Sequence, residues 1–198
     1  MRRHHKPWHK PALIVAAIIG LFVLAAYAYH HLREREAQAQ QYAIYSAYLT
    51  QGLLQNAHEL GSPTCQLSLL DHTVPRRAPF TPDALQNIPS QLRHELDLNT
   101  LHPHYFDATF DLPHPYKLIS AKDEDYLDPD MGINEEERRI GCGGFITFTR
   151  IAFDRSLTTA LFYTEHLHCG LCGGGAFILM QKKDGHWTIA NQFGTWSS

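Results

Sequence analysis

The sequence predicts an α+β protein with one N-terminal transmembrane helix, followed by helices packed on a C-terminal antiparallel β-meander of about four strands. Three observations support this fold class. An uncharged apolar stretch occupies residues 12–29, and an Ala-, Gln- and Leu-rich stretch occupies 34–60. The segment 145–193 contains aromatic and β-branched runs separated by turn residues. Helical patterns come first and strand patterns last, which is typical of the α+β class.

The stretch 12–29, ALIVAAIIGLFVLAAYAY, has the length and composition of a membrane span. It carries no charged residue. A helix rises about 1.5 Å per residue, so the stretch reaches about 27 Å, close to the hydrocarbon thickness of a bilayer. It also lacks the polar stripe that a surface helix of a soluble domain would show. We therefore expect residues 12–29 to contact the lipid bilayer as a signal anchor.

The charges around this stretch predict its orientation. The segment 1–11 carries only basic charges, whereas the residues just after the stretch balance cations with anions. The positive-inside rule then places the N-terminus in the cytoplasm and 30–198 outside it, in the periplasm or the extracellular space. A cleaved signal peptide is the alternative, because Ala26-Tyr27-Ala28 forms an A-x-A site. Both alternatives send the same domain across the inner (plasma) membrane.

The exported segment is acidic. The basic residues of 1–11 leave it 13 of the 17 lysines and arginines, against all 20 aspartates and glutamates. This balance argues against nucleic-acid binding. Besides the bilayer, the expected partners are an envelope protein or a second copy of the chain.

The first half of the exported domain is predicted to be helical. In 34–60, Tyr42, Tyr45 and Leu49 recur at helical spacing. A short strand is expected at Cys65–His72. A second helix is expected at Thr81–Leu98, since Thr81 is a good N-cap and proline follows it at the first helical position.

The middle of the domain, 102–139, is predicted to be rich in loops because it contains four prolines and a run of eight carboxylates between 123 and 137. After it come four predicted strands with short turns between neighbours, the last turn being the favoured Asp184-Gly185 pair. These strands are Phe145–Phe153, Thr158–His166, Ala176–Lys183 and His186–Phe193.

Four cysteines lie in the exported segment, where an oxidising environment favours disulfides. They are Cys65, Cys142, Cys169 and Cys172. A hairpin that turns at 154–157 would bring Cys142 near Cys169, and a bulge would make Cys172 the neighbour instead. Local pairing of Cys169 with Cys172 is the rival, and the sequence does not choose between these pairings.

The CGLC motif at 169–172 raises two further possibilities. Its spacing is that of thiol-disulfide oxidoreductases, with Cys169 as nucleophile and Cys172 as resolving thiol. The glycines at 173–175 lead into a strand rather than a helix, so the helix N-terminus that acidifies such thiols is not expected. Together with His166 and His168, the two cysteines also form a soft ligand set that zinc or copper would accept.

Aromatic residues of the meander are predicted either to form the core or to line an apolar pocket. They are Phe148, Tyr163, Phe177 and Trp187. No complete catalytic constellation is present in the sequence, and no cofactor is expected. These patterns favour a non-catalytic binding or interaction module; an envelope thiol oxidoreductase and a His/Cys metal-binding domain are the alternatives.

Three motifs carry a resemblance to other proteins. They are QYAIYSAYL in the first exported helix, the cysteine turn CGLCGGG and the Trp-containing ending HWTIANQFGTWSS. In this combination the chain resembles an uncharacterised family of bacterial exported or membrane-anchored domains. The resemblance implies an envelope location and a small α+β domain. It implies no activity, and Cys65 and Cys142 depart from the pattern.

Overall fold

The computed structural model of the protein describes residues 9–54, 67–99, 103–107, 109–120, 145–169 and 172–197. The fold is α+β, with one long apolar N-terminal helix and a mixed sheet of seven strands. The chain divides into two compact units, Met1–Gln40 and Gln41–Ser198.

The first helix, α1, runs from His9 to Tyr48 and continues as a π-helical turn, Leu49–Leu54. The helical part of 34–60 is therefore not a separate helix. Between 30 and 48 there is no glycine or proline to interrupt the backbone, and Ala, Gln, Glu and Arg favour helix. The predicted residues 55–60 lie outside the described part of the chain.

The apolar part of α1 is uncovered. Its large side chains between 14 and 32 are 47% to 71% exposed. The most apolar window has a mean hydropathy of 1.8 and is 0% buried within the protein. By length and composition this helix is able to cross a membrane.

Seven strands form one sheet in the order β2-β1-β3-β5-β6-β7, with β4 paired to β5. They are β1 (Leu67–Leu70), β2 (Tyr116–Ile119), β3 (Phe145–Phe148), β4 (Ala152–Phe153), β5 (Thr159–Cys169), β6 (Cys172–Lys183) and β7 (His186–Ser197). The prediction of about four antiparallel strands was too simple in two ways. The sheet is mixed, because β1 pairs in parallel with both β2 and β3. In addition, β2 lies within 102–139, which was predicted as loops.

The antiparallel half of the sheet follows the sequence more closely. Strands β5, β6 and β7 are consecutive and antiparallel. Asp184 and Gly185 both have positive φ, 50° and 83°, as a tight type I′ hairpin requires. The predicted strand Phe145–Phe153 is instead divided into β3 and β4. Phe145 pairs with Leu167. This register differs by one residue from the register that would place Cys142 directly opposite Cys169.

Two short helices pack on one face of the sheet. The predicted helix Thr81–Leu98 is divided into α2 (Pro82–Asn87) and α3 (Ser90–Asn99), because Pro89 has no amide hydrogen to donate within a continuous helix. The N-cap is as expected, since Thr81 Oγ1 accepts a 3.3 Å hydrogen bond from Ala84 N. A buried cluster joins these helices to the sheet through Ala84, Ile88, Leu92, Leu96, Ala152, Leu161, Tyr163, Phe177 and Phe193.

The opposite face of the sheet is covered by aromatic side chains from the end of α1. Tyr45 is fully buried and stacks on Phe148 of β3 at 4.5 Å between ring centroids. Its hydroxyl donates a 2.6 Å hydrogen bond to the carbonyl oxygen of Thr149. Within the unit Gln41–Ser198, the sheet thus has a packed layer on each face.

Candidate binding site

The structure describes two of the four cysteines for which disulfides or redox chemistry were predicted. Cys65 and Cys142 lie outside the described residues. Cys169 and Cys172 are Cα partners at the end of β5 and the start of β6. The CGLC motif therefore lies where two antiparallel strands meet, and the disulfide assignments stay predictions.

The predicted metal ligands share this end of the sheet. His166 lies on β5, where its Cα partners are Ile146 on β3 and Gly174 on β6. Across the side chains that the structure describes, no three His, Cys, Asp or Glu residues are grouped closely enough to hold a metal ion. Since those of His168, Cys169 and Cys172 are not among them, the metal site also stays a prediction.

The four aromatic residues predicted as core or pocket are all buried, but on different faces of the sheet. Tyr163 and Phe177 belong to the cluster beneath α2 and α3. Phe148 contacts Tyr45 on the opposite face. Trp187 is 5% exposed and its ring contacts Phe153 at 6.3 Å. These residues do not line one common cavity.

A polar cluster that the sequence analysis did not single out surrounds Glu165 of β5. Among the described residues, Glu165 is the one charged side chain that is buried, at 3% exposure. Its Oε1 accepts a 3.1 Å hydrogen bond from the Tyr163 hydroxyl. Its Oε2 lies 4.0 Å from Nη1 of Arg77, whose side chain is 61% exposed. Burial of a carboxylate is costly, so such a group is a candidate for function.

Two residues of β7 complete this arrangement. Trp196 Nε1 donates a 3.0 Å hydrogen bond to the Tyr163 hydroxyl oxygen. Thr195 Oγ1 lies 3.2 Å from the same oxygen and donates a 2.8 Å hydrogen bond to the Gly175 carbonyl. We call Arg77, Tyr163, Glu165, Thr195 and Trp196 the Glu165 cluster.

Local strand geometry explains how the cluster forms. Tyr163 and Glu165 are two apart on β5, so both side chains point to the α2–α3 face. Opposite Glu165, β6 presents Gly175. A Cβ at position 175 would lie 2.5 Å from Trp196 Nε1 and closer still to the Tyr163 hydroxyl oxygen. The glycine run after CGLC thus allows close approach of side chains, and at Gly175 it makes room for this hydrogen-bond network.

Burial raises the pKa of the Tyr163 phenol, and the negative charge of Glu165 also acts in this direction, whereas the polar contact with Thr195 and the hydrogen bond from Trp196 oppose it. The phenol is consequently a neutral hydrogen-bond donor at physiological pH. The cluster combines a buried carboxylate acceptor, a neutral phenol and an indole. Such a set is suited to recognising a cation or a hydrogen-bond donor.

One sequence signal could have revealed Glu165. In the strand TTALFYTEH it is the acidic residue within an otherwise apolar and hydroxylated run. A period of two places it on the same face as Tyr163, which was predicted to be buried. The partners Arg77 and Trp196 are far away in sequence, so only the fold shows that they meet.

Comparisons with family models, curated proteins and solved structures found no match to this chain.

Proposed function

We propose that this chain is a single-pass membrane protein that displays a non-catalytic binding or interaction domain outside the cytoplasm. The observation that carries the proposal is the uncovered apolar part of α1, whose large side chains from Ile14 to Leu32 are exposed. An apolar surface of this length is unfavourable in water, and a bilayer would remove it from water.

The continuity of α1 supports an anchor rather than a cleaved signal peptide. Ala28, the end of the A-x-A site, lies inside the helix, which continues to Tyr48. Proteases bind the scissile segment in an extended conformation, so cleavage within a helix would require local unwinding.

The surroundings of the CGLC motif support a non-catalytic role. Strand β6 begins at Cys172, and a strand supplies no helix N-terminus to lower the pKa of a nucleophilic thiol. A thiol oxidoreductase and a His/Cys metal-binding domain are the alternative functions. The proposed partners are an envelope protein or a second copy of the chain.

Alkaline extraction of membranes tests the anchor. The wild-type chain should stay in the membrane pellet at its full mass. A variant with Ile18→Lys and Phe22→Lys should be inserted poorly, because each lysine at the centre of a span costs about 2.5 to 3.5 kcal/mol. The matched control, Ile18→Leu with Phe22→Leu, should behave as wild type.

Two results would refute the anchor. One is quantitative release of the full-length wild-type chain by alkali, which would show a peripheral association. The other is a mass that begins after Ala28, which would show a cleaved signal peptide.

A further inference from the structure

We infer that the Glu165 cluster is a recognition site for a guanidinium group, such as an arginine side chain of a partner protein, which would replace Arg77 beside Glu165. The inference rests on the proposed function, in that it assigns a ligand class to the binding domain. It is carried by three features of the cluster: an incompletely paired buried carboxylate, a loosely held cation and an adjacent indole.

Among the residues that the structure describes, only one oxygen of the Glu165 carboxylate accepts a hydrogen bond. Oε1 accepts the Tyr163 hydrogen bond, whereas Oε2 faces Arg77 at 4.0 Å. A charge-assisted hydrogen bond between guanidinium and carboxylate is about 2.7 to 2.9 Å long, often with two parallel contacts. The pairing with Arg77 is thus longer than the one this carboxylate can make, and a better placed guanidinium would shorten it.

Arg77 is held much less firmly than its neighbour Arg76. Arg76 forms a 2.7 Å ion pair with Asp97, donates to the Ala78 carbonyl and lies 4.7 Å above the centre of the Phe80 ring. The Arg77 side chain is 61% exposed and its ion-pair contact is at the 4.0 Å limit. Moving Arg77 away therefore breaks one long ion pair of a mostly solvent-exposed side chain, and the incoming guanidinium supplies the cation that the buried carboxylate needs.

Trp196 is connected to the carboxylate through the Tyr163 hydroxyl, which donates to Glu165 and accepts from the indole. Trp196 is 36% exposed, and its Nε1 already donates a hydrogen bond to the Tyr163 hydroxyl. The part of the indole left for a ligand is its apolar ring, on which a guanidinium stacks favourably. An alkylammonium would gain the charge pairing but less of the stacking, so we expect a preference for arginine over lysine.

Calorimetric titration of the full chain in detergent, with N-acetylarginine amide as the probe, tests the inference. The neutral isostere N-acetylcitrulline amide should bind at least about tenfold more weakly, because it cannot pair with a carboxylate. Arg77→Ala should tighten binding of the arginine probe by about threefold or more, since the competing cation is gone. The control Arg155→Ala removes an equal charge from the exposed β4–β5 turn and should leave the affinity unchanged.

Glu165→Gln keeps the size of the side chain and should reduce affinity for the arginine probe by at least about tenfold. If this variant does not fold, as judged from its thermal unfolding, the Arg77→Ala comparison decides, because Arg77 is exposed. Absence of arginine binding to both the wild type and Arg77→Ala at millimolar probe would overturn the inference. Equal binding of arginine and citrulline would overturn it too.

These results are separable from those on the proposed function. Membrane extraction measures whether the chain is anchored in the membrane of the cell. The titration measures whether the purified full chain binds arginine. A chain that leaves the membrane but binds arginine refutes the anchor alone.

Discussion

The hydrogen-bond network of the Glu165 cluster depends on a single missing side-chain atom at position 175. Gly175 occupies the site opposite Glu165 on β6, and both Tyr163 and Trp196 come close to the position that a Cβ would take there. Any Cβ there must displace the phenol or the indole. Because Tyr163 also belongs to the buried cluster beneath α2 and α3, the disturbance would reach the core.

We predict that Gly175→Ala destabilises the protein by about 1 to 3 kcal/mol, the usual cost of overpacking a well-packed interior. Gly194→Ala on β7 is the matched control, because nothing lies within 4 Å of the added methyl group. Thermal or urea unfolding of the two variants in the same detergent measures the difference. Equal stabilities would show that the model of the network around Tyr163 is wrong.

At the scale of elements, the π-helical turn Leu49–Leu54 protects the edge strand β7. Gln51 Nε2 donates a 2.9 Å hydrogen bond to the Trp187 carbonyl, and Gln51 Oε1 accepts a 3.2 Å hydrogen bond from Ile189 N. The side-chain amide thereby satisfies two backbone groups that a further strand would otherwise pair with. Exposed strand edges invite pairing with other chains, so this contact covers part of the β7 edge against such pairing.

Replacing Gln51 by alanine should cost about 1 to 3 kcal/mol, because the two hydrogen bonds are lost. The freed edge should also raise the tendency to self-associate. Gln86→Ala, on the exposed side of α2, is the control and should change stability by less than about 0.5 kcal/mol. Chemical unfolding together with light scattering checks both effects, and a Gln51→Ala variant as stable as the control would refute the role of Gln51.

The sequence predicted those elements that depend on neighbouring residues, such as a hairpin turn or the start of a helix. Asp184-Gly185 specifies its hairpin through backbone conformations that few other pairs adopt, and Thr81 specifies a helix start. The four-residue strand β2 was missed because its pairing with β1 joins segments far apart in sequence. Pro89 is the sequence feature that divides the second predicted helix into α2 and α3.

At the scale of the whole molecule, the sequence predicted an α+β domain behind an apolar helix, and both features are present. It did not predict the Glu165 cluster. Gly175 lies in the glycine run 173–175, which was predicted only to lead into a strand, and Trp196 lies beyond the predicted last strand, His186–Phe193. The residues of the cluster come from three strands and a loop that meet only in the folded chain. Sequence periodicity does not show which strands pair or in which register.

In the proposed function, a single N-terminal span holds the binding domain outside the cytoplasm. The most direct measurement is protease treatment of sealed spheroplasts that contain the chain with different epitopes at its two ends. The C-terminal epitope should be digested, while the N-terminal epitope should survive on a short membrane-bound fragment. A C-terminal epitope that is protected until the membrane is lysed would contradict the orientation and with it the proposed role outside the cytoplasm.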